Sequence, residues 1–153
     1  MLALRWDNSL GAARLVKDGL GSLVTDESLE SMVLISLFTD AEASQQEIAS
    51  AGLAQQRGWW ADADSLREPG TRRMGSRLWL LSRGKTTLET LRRAEGHIKE
   101  ALQWLVDQGI VSTISVITSR PRAGVVGIDL TLTRPSKLLP AYKRFWEIQH
   151  RAF

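Results

Sequence analysis

The stretch from Thr86 to Gly109 constrains the fold of this chain more than any other. Leu88, Leu91, Ala94, Ile98, Ala101, Leu102, Leu105 and Val106 keep a helical period for five turns, so one long side of an amphipathic helix must be covered. Thr86 and Glu89 read as a capping box at its start, each side chain satisfying the other's free backbone N–H. Gly109 suits the left-handed position just past its end. A cover follows at once in the chain. Residues 110–117 and 125–132 alternate and are rich in β-branched side chains, and the short link through Ser119 and Gly124 makes an antiparallel pair the simplest arrangement. Arg134-Pro135 closes the second strand. The class this predicts is α+β: a single domain with a long amphipathic helix on a small, mainly antiparallel sheet.

The remaining segments attach to that core. Residues 2–6 alternate weakly, and residues 13–17 lead into Asp18-Gly19, a dipeptide that supplies the positive φ of a tight turn, so the start reads as a β-hairpin. Thr25 or Asp26 offers an N-cap, and Glu27 falls where the helix dipole favours an acid. Leu29, Met32, Val33, Ser36 and Leu37 then share a helical face, while Leu34, Ile35 and Phe38 make the element apolar on most sides. A strand also fits so short an apolar run. From Thr39 to Gly70 the composition turns to Ala, Ser, Gln, Gly and Asp, a long connection in which Trp59-Trp60 implies a pinned middle. Glu68-Pro69-Gly70 ends it. Residues 75–82 read as a short helix with Leu78 and Leu81 or Trp79 on one side and Arg77 and Arg83 outward, stopped by Gly84. At the C-terminus two readings fit: Leu138, Leu139, Tyr142, Phe145, Trp146 and Gln149 have helical spacing, whereas Tyr142, Arg144, Trp146 and Ile148 would line one face of a strand.

Composition narrows the chemistry. A chain of 153 residues without cysteine has neither disulfides nor thiolate ligands and fits synthesis in a reducing cytoplasm. No apolar run reaches the roughly 20 residues that span a bilayer, so a soluble protein with no membrane partner is expected. The net charge of +3 comes from 20 basic and 17 acidic residues mixed along the chain. Its densest basic cluster, Arg67, Arg72, Arg73 and Arg77, is better read as a solvated or partner-facing surface than as a nucleic-acid site. His97 and His150 lack ligand-spaced partners, so neither metal nor cofactor is expected. Gly19-Leu20-Gly21 lacks the lysine of a phosphate loop, and Gly124 to Gly127 lies within the strand pair. Asp62, Asp64 and Glu68 near two tryptophans invite comparison with sugar-cleaving carboxylate pairs, but nothing in their spacing singles out a desolvated acid.

Trp is over-used: six, against one Tyr and three Phe. Trp is enriched where apolar area is buried against a partner. Trp59, Trp60, Trp79 and Trp146 are the candidate anchors, with Arg77 beside them. The alternative is that Trp79 and Trp104 fill the core, which for Trp104, on the long helix, is the better account.

The order of three patterns resembles the Mu-like phage baseplate wedge proteins, relatives of the sheath-initiating wedge protein of contractile tails. They are the apolar element ending in Phe38-Thr39-Asp40, the pair Gly58-Trp59-Trp60-Ala61-Asp62 and Gly75-Ser76-Arg77-Leu78-Trp79-Leu80-Leu81, and the helix that enters strands at Gly109-Ile110-Val111. The related sheath-initiator branch carries Glu-Pro-Arg at the helix-to-strand junction, where this chain has Asp107-Gln108-Gly109-Ile110. The resemblance implies a virion structural protein of the tail baseplate, made in the host cytoplasm, whose partners are other wedge proteins, the tail sheath and hub or tube proteins. On this reading residues 1–153 form one wedge domain: a hairpin region at 2–24, a buried element at 26–38, a connection at 39–74, the helix and strand core at 75–134 and a tail at 135–153. A peptidoglycan-cleaving tail enzyme, in line with the family's lysozyme-like label, and a small nucleic-acid-binding module are the rival functions.

Overall fold

The computed structural model describes residues 2–7, 9–23, 29–62, 73–82, 85–136 and 141–149. In chain order the elements are strands β1 (Leu4–Asp7) and β2 (Ala12–Leu15), helices α1 (Leu29–Phe38), α2 (Gln45–Ser50) and α3 (Leu88–Asp107), and strands β3 (Thr113–Ser119), β4 (Val125–Thr133) and β5 (Tyr142–Gln149). Single 3₁₀ turns occupy Trp60–Asp62 and Leu78–Leu81. The class is α+β, a single domain with a two-stranded and a three-stranded antiparallel sheet.

The larger sheet has the order β3-β4-β5. Its register pairs Val116 with Leu130 and Ile128 with Trp146, so every second residue faces one way. That inner face carries Val126, Ile128, Leu130, Leu132, Trp146 and Ile148, all buried. The C-terminal segment is therefore a strand, and of the two patterns legible there the period of two prevails. A helix would have left the central strand β4 without a partner on one side, its backbone groups unpaired beside a buried face.

Helix α3 covers that inner face with Ala94, Ile98, Ala101, Leu102 and Leu105. The predicted stripe is only partly used. Thr87, not Thr86, is the N-cap and accepts from the Thr90 N–H, so the helix starts one residue later than expected and Leu88, in its first turn, is 65% exposed. Thr86 is instead buried, its carbonyl accepting from Arg120 at 3.1 Å. At the other end Gly109 has φ +69°, and the N–H groups of Ile110 and Gly109 bond back to Leu105 and Val106 at 2.8 and 2.9 Å. This is a Schellman cap. It uses residues 109–111, which is why β3 begins at Thr113 and not at Ile110.

Helix α1 packs against α3 and the hairpin. Its Val33, Leu34 and Leu37 are buried, and its two buried serines are both engaged: Ser31 Oγ accepts from the Leu4 N–H at 3.0 Å, and Ser36 Oγ accepts from the Trp104 indole at 3.0 Å. The strand alternative for this run is thus excluded; the predicted caps at Thr25 and Asp26, with Glu27, lie outside the described residues. The hairpin turns at a different place from the one predicted. β1 and β2 pair from Leu4↔Leu15 to Asp7↔Ala12, with the reversal at Gly11, φ +60°. Asp18-Gly19 instead opens a second small turn in which the Asp18 carboxylate accepts from the Leu20 and Ser22 N–H groups.

The braced tryptophan loop as candidate functional site

The connection after α1 is more structured than its composition suggests. Ser44 and Glu47 form a reciprocal capping box that starts α2, and Ile48 of that helix is buried with Ala43, Trp79 and Leu80 in a second, smaller apolar cluster. The sequence signal was present as Ser-x-x-Glu; the polar residues around it masked it. Leu78, Trp79, Leu80 and Leu81 are all buried because they form a 3₁₀ turn wedged between two cores. Leu78 and Leu81 belong to the main cluster, and Trp79 and Leu80 to the smaller one.

Three sets of bonds fix the start of the loop to that turn. The Ala41 N–H donates to Ser76 O and the Ser76 N–H to Thr39 O, both at 2.9 Å, while Ser76 Oγ donates to Leu37 O at 2.6 Å. Gly75 makes this approach feasible: at φ +103°, a Cβ there would lie 2.4 Å from Thr39 O. The Trp79 indole N–H donates to Ala41 O at 2.8 Å, and the Arg57 guanidinium lies 5.6 Å over the same ring while pairing with Asp40 at 3.2 Å. Arg73 pairs with Glu42.

Arg77 ties α2 to α3 by pairing with both Glu47 and Glu100. Its pKa is raised above the ordinary value, first by the hydrogen bond to Glu100. Glu47 is held below the usual carboxylate range, chiefly by the Ser44 backbone N–H and hydroxyl. His97, beside this network, has its pKa lowered from 6.5, by burial first and then by the charge of Arg77. Its Nε2 is buried and has no hydrogen-bond partner among the described residues.

On this braced base the loop carries its aromatic pair. The rings of Trp59 and Trp60 lie 5.8 Å apart at 54°. Trp59 is half-buried, and Trp60 is 74% exposed at the edge of a cleft of about 270 Å³ that also touches Arg57 and Asp62. Asp62 is buried and accepts from the Met74 N–H at 2.9 Å, so its carboxylate closes the loop. Asp64, Glu68, Arg67, Arg72, Arg83, Gly84 and His150 lie outside the described residues.

The five sequence candidates therefore separate. Trp79 and Trp146 are 1% and 2% exposed and face inward, Trp146 making an edge contact to Phe38 at 6.3 Å. Trp146 belongs to the main apolar cluster and Trp79 to the smaller one. Arg77 is engaged within the chain. Trp104 is partly buried against the main core, as expected. Trp59 and Trp60 remain at the surface, and the structure brings Trp79 beneath their loop.

The chain is thus a small α+β domain with a firmly braced loop and one indole left outside. Residues 29–138 match the family model described as Phage protein GP46, and the chain belongs to that family. It is 42% identical over 142 residues to Baseplate protein gp46 of Escherichia phage Mu, a match covering 93% of this chain and 92% of that protein. It is 37% identical over 136 residues to Mu-like prophage FluMu protein gp46 of Haemophilus influenzae, covering 88% and 87%. These matches agree with the Mu-like resemblance drawn from the sequence.

Proposed function

We propose that this chain is a structural subunit of a phage tail baseplate, and more narrowly a wedge subunit of a contractile tail that docks other wedge proteins through Trp59 and Trp60. The observation that carries the baseplate role is the near full-length similarity to Baseplate protein gp46 of phage Mu. The wedge role rests on the presentation of Trp60: an exposed indole over a rigid base places its apolar area without further ordering, which is how interface anchors concentrate binding energy. The sheet offers a second contact. With β4 in the centre, β3 and β5 are edges, and an edge strand's free N–H and C=O groups can be completed by a strand of a sheath subunit.

The test is reconstitution of the baseplate with the Trp59→Ala, Trp60→Ala double variant. A folded variant that no longer joins its neighbours is the expected result; unimpaired joining overturns the anchor role. A proline replacing an edge residue whose N–H points outward removes that donor, and normal sheath attachment by such a folded variant overturns strand addition. Cell-wall hydrolysis by the purified chain, abolished by Asp62→Asn, would favour the enzymatic rival instead.

A further inference from the structure

Helix α3 covers one face of the three-stranded sheet and leaves the other open. Side chains alternate along each strand, so the residues between those that meet α3 point the opposite way. Of these, Ser115, Ile117, Asp129, Lys143, Phe145 and Glu147 are all exposed. An antiparallel sheet can turn a polar face to water, and Ser115 and Thr131, register partners across β3 and β4, follow that rule. The next row departs from it. Ile117, Asp129 and Phe145 are register partners across all three strands, and the two apolar members are 62% and 53% exposed.

Asp129 sits at the centre of that row against the preference of its own strand, since Asp is depleted in β-structure. Neither Ile117 nor Phe145 has a side-chain donor to offer it. Among the described residues its carboxylate makes no hydrogen bond or ion pair, although Lys143 lies only one register step away. Glu147, by contrast, is paired with Arg122 at 3.2 Å. Gly127 completes the surface: a Cβ there would stand 3.2 Å from Cε2 and Cζ of Phe145, so the missing side chain lets the ring lie over the β4 backbone. Asp129, opposite Phe145 in register, and Glu147, two residues along β5, share its face. A local preference broken without gain to the fold marks a position where function is expected.

We propose that the open face of the sheet, centred on Asp129, docks a segment of a neighbouring protein that presents an arginine between apolar side chains. This contact is separate from the tryptophan loop and from the strand edges. Charge complementarity selects the occupant. A guanidinium can donate to both oxygens of the Asp129 carboxylate and is attracted to an aromatic ring such as Phe145, while the flanking apolar side chains cover Ile117 and the rest of that ring. Docking then takes an acid out of water together with the partner that its burial requires. An acidic segment or a nucleic acid would bring its charge against Asp129 and Glu147.

The test uses the full chain and two labelled peptides, one alternating Leu and Arg and one alternating Leu and Glu, with fluorescence anisotropy as the readout. The Leu-Arg peptide should bind, weaken with added salt and lose on the order of tenfold in affinity in the Asp129→Thr variant. Thr is a better strand former than Asp, so the substitution favours β4 and a loss of binding reports the surface and not unfolding. Lys143→Thr removes a cation from the same face and should tighten binding of that peptide. Equal binding of the two peptides, or an Asp129→Thr variant that binds as the parent does, overturns the proposal. So does a loss of binding in Trp60→Ala that Asp129→Thr does not share, which would place the peptide on the tryptophan loop. Self-association of the parent chain that the Leu-Arg peptide displaces and Asp129→Thr abolishes would assign the face to a second copy and overturn the choice of partner.

Discussion

Replacing Trp79 and Trp60 separately distinguishes a core tryptophan from a presented one. Trp79 is 1% exposed, packs with Ala43, Ile48 and Leu80, and satisfies the Ala41 carbonyl at 2.8 Å. Trp79→Ala removes a large buried ring from a cluster too small to collapse around the space, and such changes destabilise by about 3 to 5 kcal/mol. Trp79→Phe keeps much of the volume but leaves the Ala41 carbonyl without that indole donor, at a penalty of about 1 to 3 kcal/mol. For a domain of this size each kcal/mol moves the melting temperature by roughly 2 to 4 °C, so Trp79→Ala should lower it by about 6 to 20 °C. Trp60, 74% exposed, has little to lose on truncation, and Trp60→Ala should stay within about 0.5 kcal/mol of the parent. Urea titration followed by far-ultraviolet circular dichroism measures both on one scale. If Trp79→Ala unfolds with the parent, or Trp60→Ala falls with Trp79→Ala, the division of the tryptophans into a buried support and an exposed ring is wrong.

Two further outcomes follow from the same brace. Gly75→Ala forces a Cβ to 2.4 Å from Thr39 O at φ +103°; backbone strain alone is about 1 to 3 kcal/mol, so this single methyl should destabilise by more than that and raise proteolysis between α1 and α3, read by limited trypsin digestion. His97 has a folded pKa below its ordinary 6.5 through burial and the Arg77 charge, so the unfolded chain binds the extra proton first: the stability is present above pH 6.5 and is lost as pH falls from there through the lowered folded value. His97→Gln should flatten that decline in urea midpoints measured between about pH 5 and 7, and an unchanged slope would show that His97 does not titrate against the fold.

What could be read from the sequence divides by how local its cause is. The helix at 88–107, its glycine terminator and the strand pair were legible because period and cap chemistry act within a few residues. Thr86 and Thr87 illustrate the resolution of that reading: both are sound caps in isolation, and the choice of Thr87 follows from a distant demand, Arg120 taking the Thr86 carbonyl. The tail was ambiguous for the same reason. Its residues satisfy two periods, and only the unpaired side of β4 decides between them. The tryptophans show the limit most clearly. Composition identified an excess of large apolar rings, but whether a ring faces inward depends on what closes over it. Trp79 became a support because Ser44 and Glu47 start a helix that delivers Ile48 to it, and because Gly75 lets Thr39 approach. Trp59 and Trp60 are adjacent in sequence yet differ in burial. The site is therefore the product of a brace assembled from residues 39–57, residues 73–81 and Glu100, and its exposed indole could be named from the sequence while the reason for its exposure could not.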